Sequence, residues 1–158
     1  TKPKEFPCQL ANSIARDPQG YPLLSECLKR GFFEYYFTAA VSAEFQSLYD
    51  NTDGVRDHFL KYWKRVAEEF NNTEGVMGYE FINEPWAGDI FAKPWLLTPG
   101  YADRKNLWPF YTTFKDTIRS VDTETTLFFE KSLTNILGKT GFPSAPAEAG
   151  KSVYSLHN

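Results

Sequence analysis

The chain has 158 residues, 42% of them hydrophobic and 17% aromatic, which is enough apolar matter for one ordinary domain with a core and excludes a disordered or low-complexity segment. A formal net charge of −3 offers neither the basic footprint of a nucleic-acid binder nor a polybasic patch for an anionic membrane, so no nucleic-acid partner is expected. No apolar run approaches the roughly 20 residues that span a bilayer, and the start through Pro3, Phe6, Pro7 and Cys8 lacks the apolar core of a signal peptide, so we expect no transmembrane segment and a mature or excised N-terminus.

Residues 1–21 carry Pro3, Pro7, Pro18 and Gly20 without a sustained period and read as loop. A first helix is predicted from Pro22 through Leu23, Leu24, Cys27 and Leu28 until Gly31 stops it. Over residues 33–49, Phe37, Ala40, Val41, Phe45 and Leu48 recur at helical spacing and predict one helix with those side chains inward, broken by the polar run at 50–54. Residues 55–70 give the clearest helix, with Val55, Phe59, Tyr62, Trp63, Val66 and Phe70 on one side and Asp57 placed to pair with Lys61 on the other. After a turn at 71–75, residues 76–82 form an apolar run between Gly75 and Pro85, the pattern of a strand buried on both faces.

Residues 83–103 are a long connection holding Trp86, Ile90, Phe91, Trp95, Leu96 and Leu97, too apolar for disorder and expected to fold as a wall over a site. Leu107, Phe110, Tyr111, Phe114, Ile118 and Val121 then predict a helix whose first turn contains Pro109. A second strand is expected at 125–130, a second irregular connection at 131–151, and a third strand at 152–156 running into His157. Helices alternating with strands require a parallel sheet. Its three strands end in Glu84, Glu130 and His157, and reactive groups gather at the carboxyl ends of parallel strands.

Other candidates are weaker. Asp89, Asp103 and Glu148 lie in predicted loops and are expected to be solvated, and His58 is expected on the surface of its helix. Cys8 and Cys27 leave two readings open, one disulfide or two small buried hydrophobes, and Asn71-Asn72-Thr73 is an N-glycosylation acceptor at Asn71. Both features agree with a secreted or lysosomal compartment. No Cys/His spacing suits a metal and no Gly-rich loop opens a helix, so no metal and no cofactor are expected.

Asn83-Glu84-Pro85 closing the run Gly78-Tyr79-Glu80-Phe81-Ile82 resembles the acid/base motif of retaining glycosidases with (β/α)8 barrels, including glycoside hydrolase family 5. With Phe45-Gln46-Ser47-Leu48-Tyr49-Asp50-Asn51, Trp63-Lys64-Arg65-Val66-Ala67 and the extension Trp86-Ala87-Gly88-Asp89, the likeness narrows to the endoglycoceramidases and runs from about Phe33 to His157. The resemblance implies an α/β fold, a partial (β/α)8 TIM barrel of roughly strands 4 to 6 with preceding helices, so that residues 1–158 form a single segment of a catalytic domain incomplete at both ends. It implies retaining cleavage of the glycan–ceramide bond of glycosphingolipids by the full-length parent, with Glu84 as acid/base, Asn83 orienting the sugar, and Trp86, Glu130 and His157 as further substrate contacts.

A carboxyl walled by Trp86 and by Tyr79 or Phe81 would be partly desolvated, which favours the protonated form that a general acid uses. The apolar loop from Trp86 to Leu97 would line the ceramide side of the cleft and contact a lipid surface. A retaining enzyme needs a second carboxylate about 5 to 5.5 Å away as nucleophile. In the family it lies on the seventh strand, so the remainder of the parent barrel is expected to supply it, and Glu130 is expected to be a rim or ligand-orienting residue, the family's Phe-Glu-Pro being Phe129-Glu130-Lys131 here. Two alternatives stand beside this reading: a truncated, non-catalytic glycolipid-binding or inactive remnant, and a β-glucanase of the same clan.

Overall fold

The computed structural model describes residues 15–29, 31–135, 138–148 and 150–155. An aspartate-stabilised turn, in which the Asp17 carboxylate accepts from the backbone N–H groups of Gln19 and Tyr21, leads into the one-turn helix α1 (Leu24–Cys27). The single helix expected at 33–49 is two, α2 (Phe32–Tyr36) and α3 (Ala39–Asp50). The break is made by Thr38, whose backbone is extended and whose hydroxyl accepts from the N–H of Val41 at 3.2 Å, so a residue read as mid-helix is an N-cap.

The inward face of α3 also differs from expectation. Ser42, Gln46 and Tyr49 are buried, while Phe37 and Ala40 are exposed and Val41, Phe45 and Leu48 are half-buried. Asn51 ends α3 in the left-handed conformation and bonds Asp57 twice, its amide donating to the carboxylate at 3.0 Å and its carbonyl oxygen accepting from the Asp57 N–H at 3.1 Å. Asp57 is thereby used at the start of α4 (Val55–Phe70) in place of the pairing expected with Lys61. The bounds of α4 are those predicted, and His58 is exposed as expected; its buried residues are Leu60 and Ala67, with Phe59, Trp63 and Val66 packed beside them and Val55, Tyr62 and Phe70 outside.

Three short strands follow, β1 (Gly78–Glu80), then β2 (Thr126–Phe129) and β3 (Ser152–Tyr154), separated by helix α5 (Trp108–Arg119) and the two long connections. They pair in parallel in the order β1-β2-β3, with Tyr79 beside Leu127 and Leu127 beside Ser152. Gly78 is required by the β1–β2 approach, since a Cβ there would run into the Phe128 ring and sit 2.6 Å from the Thr126 carbonyl. Tyr79, Phe81, Leu127 and Phe129 pack against α4 and α5 through Trp63, Phe110, Tyr111, Phe114 and Ile118, forming the main core. Burying each such side chain contributes about 1.5–3 kcal/mol.

The opposite face, carrying Glu80, Phe128 and Val153 in one row, has no layer over it among the described residues: Glu80 is exposed, Val153 is 41% exposed and Phe128 is half-buried. Burial of β1 on both faces is therefore not found among the described residues. The first connection folds as expected, with Trp86, Ala87, Ile90, Leu96 and Ala102 making a second, smaller core, and a five-residue π-helical turn (Asp103–Leu107) feeding α5, where Pro109 occupies the first turn.

Candidate active site

β1 gives way at Phe81 to an extended stretch that delivers Asn83, exposed, and Glu84, half-buried, to the carboxyl end of the sheet. Glu84 has a φ of 46°, a left-handed conformation that costs a non-glycine residue on the order of 1–3 kcal/mol and persists only where its surroundings hold it. The restraint is visible. The N–H of Glu84 donates to Oε2 of Glu130 at 2.9 Å, and Glu130, the residue after β2, is only 4% exposed. The Glu130 N–H in turn points at the Tyr111 hydroxyl at 3.3 Å.

Each of the next residues is tied from a different element. The Pro85 carbonyl accepts from the N–H of Leu133 at 2.8 Å, the Trp86 carbonyl from the Tyr49 hydroxyl at 2.6 Å, and the Ala87 carbonyl from the Asn106 amide at 2.7 Å. The Asp89 N–H donates to Oε1 of Gln46 at 3.3 Å, and the same oxygen accepts from Asn106 at 3.2 Å. A strand end without regular pairing is thus satisfied and fixed by α3, the π-turn and the second connection. Burial pushes the phenols of Tyr49 and Tyr111 well above the ordinary tyrosine range, and the negative charge of Asp103 adds to both, so both stay protonated.

Comparison with known proteins places this arrangement. The family described as Cellulase (glycosyl hydrolase family 5) matches residues 39–158. The chain belongs to glycosyl hydrolase family 5. An endoglycoceramidase of Hydra vulgaris is 42% identical over 157 residues, 98% of this chain and 30% of that protein, and an endoglycoceramidase of Cyanea nozakii is 41% identical over 155 residues, 96% of this chain and 31% of that protein. The solved structure of endo-glycoceramidase II from Rhodococcus sp. with a cellobiose-like imidazole superposes with a TM-score of 0.64 at 21% identity, covering 90% of this chain and 31% of that one, a likeness of fold. The chain spans about three-tenths of the length of the curated relatives it matches. Its parallel strands and helices are a partial (β/α)8 barrel of the family 5 kind.

In this family 5 segment the structure brings two of the three strand-end groups together, Glu84 and Glu130. His157 lies outside the described residues, as does Cys8; Cys27 is half-buried at the end of α1. Two expected substrate contacts are placed otherwise. Trp86 is 2% exposed, its indole N–H donates to the Ser42 hydroxyl at 2.9 Å and its ring packs on Tyr36 and Phe37, so it supports the wall from behind. Glu130 is turned inward onto the Glu84 backbone instead of out to a rim.

The expected wall around Glu84 is likewise composed differently, since Tyr79 and Phe81 face the helix layer. In the loop expected to meet lipid, Trp86, Ile90 and Leu96 turn into the second core, leaving Trp95 and Leu97 about half exposed at 53% and 50%. The amide of Asn71 donates to the Val121 carbonyl at 2.9 Å, so the nitrogen read as a glycan acceptor is engaged in joining the end of α4 to the end of α5.

Sequence reading missed Asp103, expected in a solvated loop. It is fully buried, one oxygen accepting from the Ser132 N–H at 2.8 Å and the other from the Asn135 amide and the Gly141 N–H, both at 2.9 Å, which clamps the second connection against the π-turn. Asp89 is half-buried and accepts from the N–H groups of Phe91 and Ala92, while Glu148 is exposed and paired with Arg119 at 3.1 Å. Among the described residues no group of three or more His, Cys, Asp or Glu is placed to hold a metal ion, and no helix is long and apolar enough to cross a membrane.

Proposed function

We propose that the full-length parent is a retaining glycoside hydrolase that cuts the glycan–ceramide bond of glycosphingolipids, with Glu84 as general acid/base. The observation that carries this reading is the fixed Asn83-Glu84-Pro85 end of β1, in a chain whose matched endoglycoceramidase relatives are 42% and 41% identical across nearly all of it. The Glu84 carboxyl gives its proton to the glycosidic oxygen as the C–O bond breaks, then takes a proton from the water that releases the sugar. Exposed Asn83 beside it supplies amide hydrogen bonds for a sugar hydroxyl.

The nucleophile is assigned to the rest of the parent barrel. Glu130 is buried and committed to the Glu84 amide, which is poor placement for attack at an anomeric carbon. Trp95 and Leu97 are the large apolar side chains that the first connection leaves exposed, and they are the groups we assign to the lipid. A secretory or lysosomal setting remains part of the proposal on sequence grounds alone, since Cys27 is a free thiol and the Asn71 amide is engaged.

The test is Glu84→Gln in the full-length parent, assayed on ganglioside and on a soluble β-glucan. Ganglioside hydrolysis is expected to fall by about 100-fold or more, and a rate near wild type would overturn the assignment of Glu84. Wild-type activity on β-glucan with none on ganglioside would keep the mechanism and make the parent a β-glucanase.

A further inference from the structure

The cluster around Glu84 contains a second carboxylate with no role in bond breaking, and its geometry defines one. We infer that Glu130 is a positioning residue for the acid/base: its hydrogen bond to the Glu84 N–H holds that residue at its left-handed φ and so aims the Glu84 carboxyl. This rests on the reading of Glu84 as acid/base given above.

Three observations converge. Glu84 is the one residue of the motif in a conformation that a non-glycine side chain disfavours, at φ 46°, and the proline that follows it further narrows its backbone. Its N–H has a buried side-chain oxygen of Glu130 as acceptor at 2.9 Å, shut away from competing water. Glu130 is itself seated: β2 ends one residue before it, its N–H points at the buried Tyr111 hydroxyl, and Ser132 just beyond is held by Asp103. The order of support runs from α5 through Tyr111 to Glu130 to the backbone of Glu84. Rotating φ at Glu84 would swing the carboxyl away from the glycosidic oxygen, and misplacement of a catalytic group by about 1 Å costs on the order of 100-fold.

A positioning role and a merely structural one predict different substrate dependence. Protonation matters when the leaving group is an unactivated alcohol and matters little when it is a stable phenolate. In the full-length parent, kcat/KM is therefore measured on two glycosides of the sugar that the parent accepts, an alkyl glycoside and a 2,4-dinitrophenyl glycoside. Glu130→Met keeps the side chain's length and removes the acceptor. It is expected to lower kcat/KM on the alkyl glycoside by about 10- to 100-fold and on the dinitrophenyl glycoside by less than about threefold. Glu130→Gln keeps an acceptor oxygen and is expected to stay within about threefold of wild type on both.

Equal losses on the two substrates with Glu130→Met, or no loss on either, would overturn the inference, as would Glu130→Gln being as impaired as Glu130→Met. Should Glu130→Met not fold, Glu130→Asp, which keeps the charge but withdraws the oxygen by one methylene, must show the same selective loss. Glu84→Gln runs beside them: if it lacks selective loss on the alkyl glycoside the acid/base reading itself fails, whereas selective loss there with none at Glu130 removes only the positioning role.

Discussion

Asp122 shows how much of this segment hangs on single buried carboxylates. It is fully buried between α5 and β2 and accepts from the Tyr79 hydroxyl at 2.9 Å, the Thr125 hydroxyl at 2.6 Å, and the N–H groups of Glu124 and Thr125. Burial alone would raise its pKa, but these donors outweigh it and hold the group below its ordinary value of 3.8. Because the folded value lies below the unfolded one, the carboxylate adds stability above about pH 4 and loses it as pH falls through the folded value. Asp122→Asn turns an NH2 towards donors and is expected to destabilise the parent by about 2–4 kcal/mol at neutral pH. Thermal melts of both proteins across pH check this, with the gap closing in acid; a gap independent of pH would remove the charge from the account. Neither Asp122 nor Asp103 was legible as buried, because both fall between the apolar runs, where aspartate is usually solvated, and the donors that hold them come from residues distant in sequence or from the backbone. Glu84 was legible because Asn83 and Pro85 flank it at the end of an apolar run, and the conformation it adopts there was not.

At the level of elements, the bounds of α4 were readable because sixteen residues of amphipathic pattern run unbroken, and Phe59, Trp63 and Val66 face the core as expected while Val55, Tyr62 and Phe70 at the stripe's margin stay outside. α3 was not, for a definite physical reason. Its partner is the irregular strand end after Glu84, whose carbonyls and N–H groups need donors and acceptors more than apolar cover, so Ser42, Gln46 and Tyr49 face in and the apolar stripe is left half-covered. Hydrophobic period cannot find a face that is buried for its hydrogen bonds. Gly88 completes this joint: its φ is +110°, and a Cβ there would lie 2.5 Å from Oε1 of Gln46 and 2.6 Å from the amide nitrogen of Asn106. Gly88→Ala is expected to cost roughly 2–5 kcal/mol, from strain and displacement together. Urea denaturation of the parent measures the loss, and its activity should fall as well, since the displaced amides also hold Ala87 and Asp89 beside the site. A variant of unchanged midpoint and rate would show that the joint does not fix the strand end.

The whole segment has one finished side and one unfinished side. α4 and α5 cover the face bearing Tyr79, Leu127 and Phe129, while the row Glu80, Phe128 and Val153 has no layer against it among the described residues, and the outer edges of β1 and β3 carry no partner strand there. Closing the sheet into a barrel removes such edges and turns that row into a packed interior. The strands are three or four residues each, which is little pairing to hold a parallel sheet alone. Expressed by itself, the 158-residue chain is therefore expected to bind a fluorescent apolar dye and to self-associate at micromolar concentration, while the parent does neither. Dye fluorescence and sedimentation of both proteins at equal concentration decide it. A monodisperse, dye-silent segment would mean that the row through Val153 is covered from within the chain, and the inference that the missing strands complete it would fall.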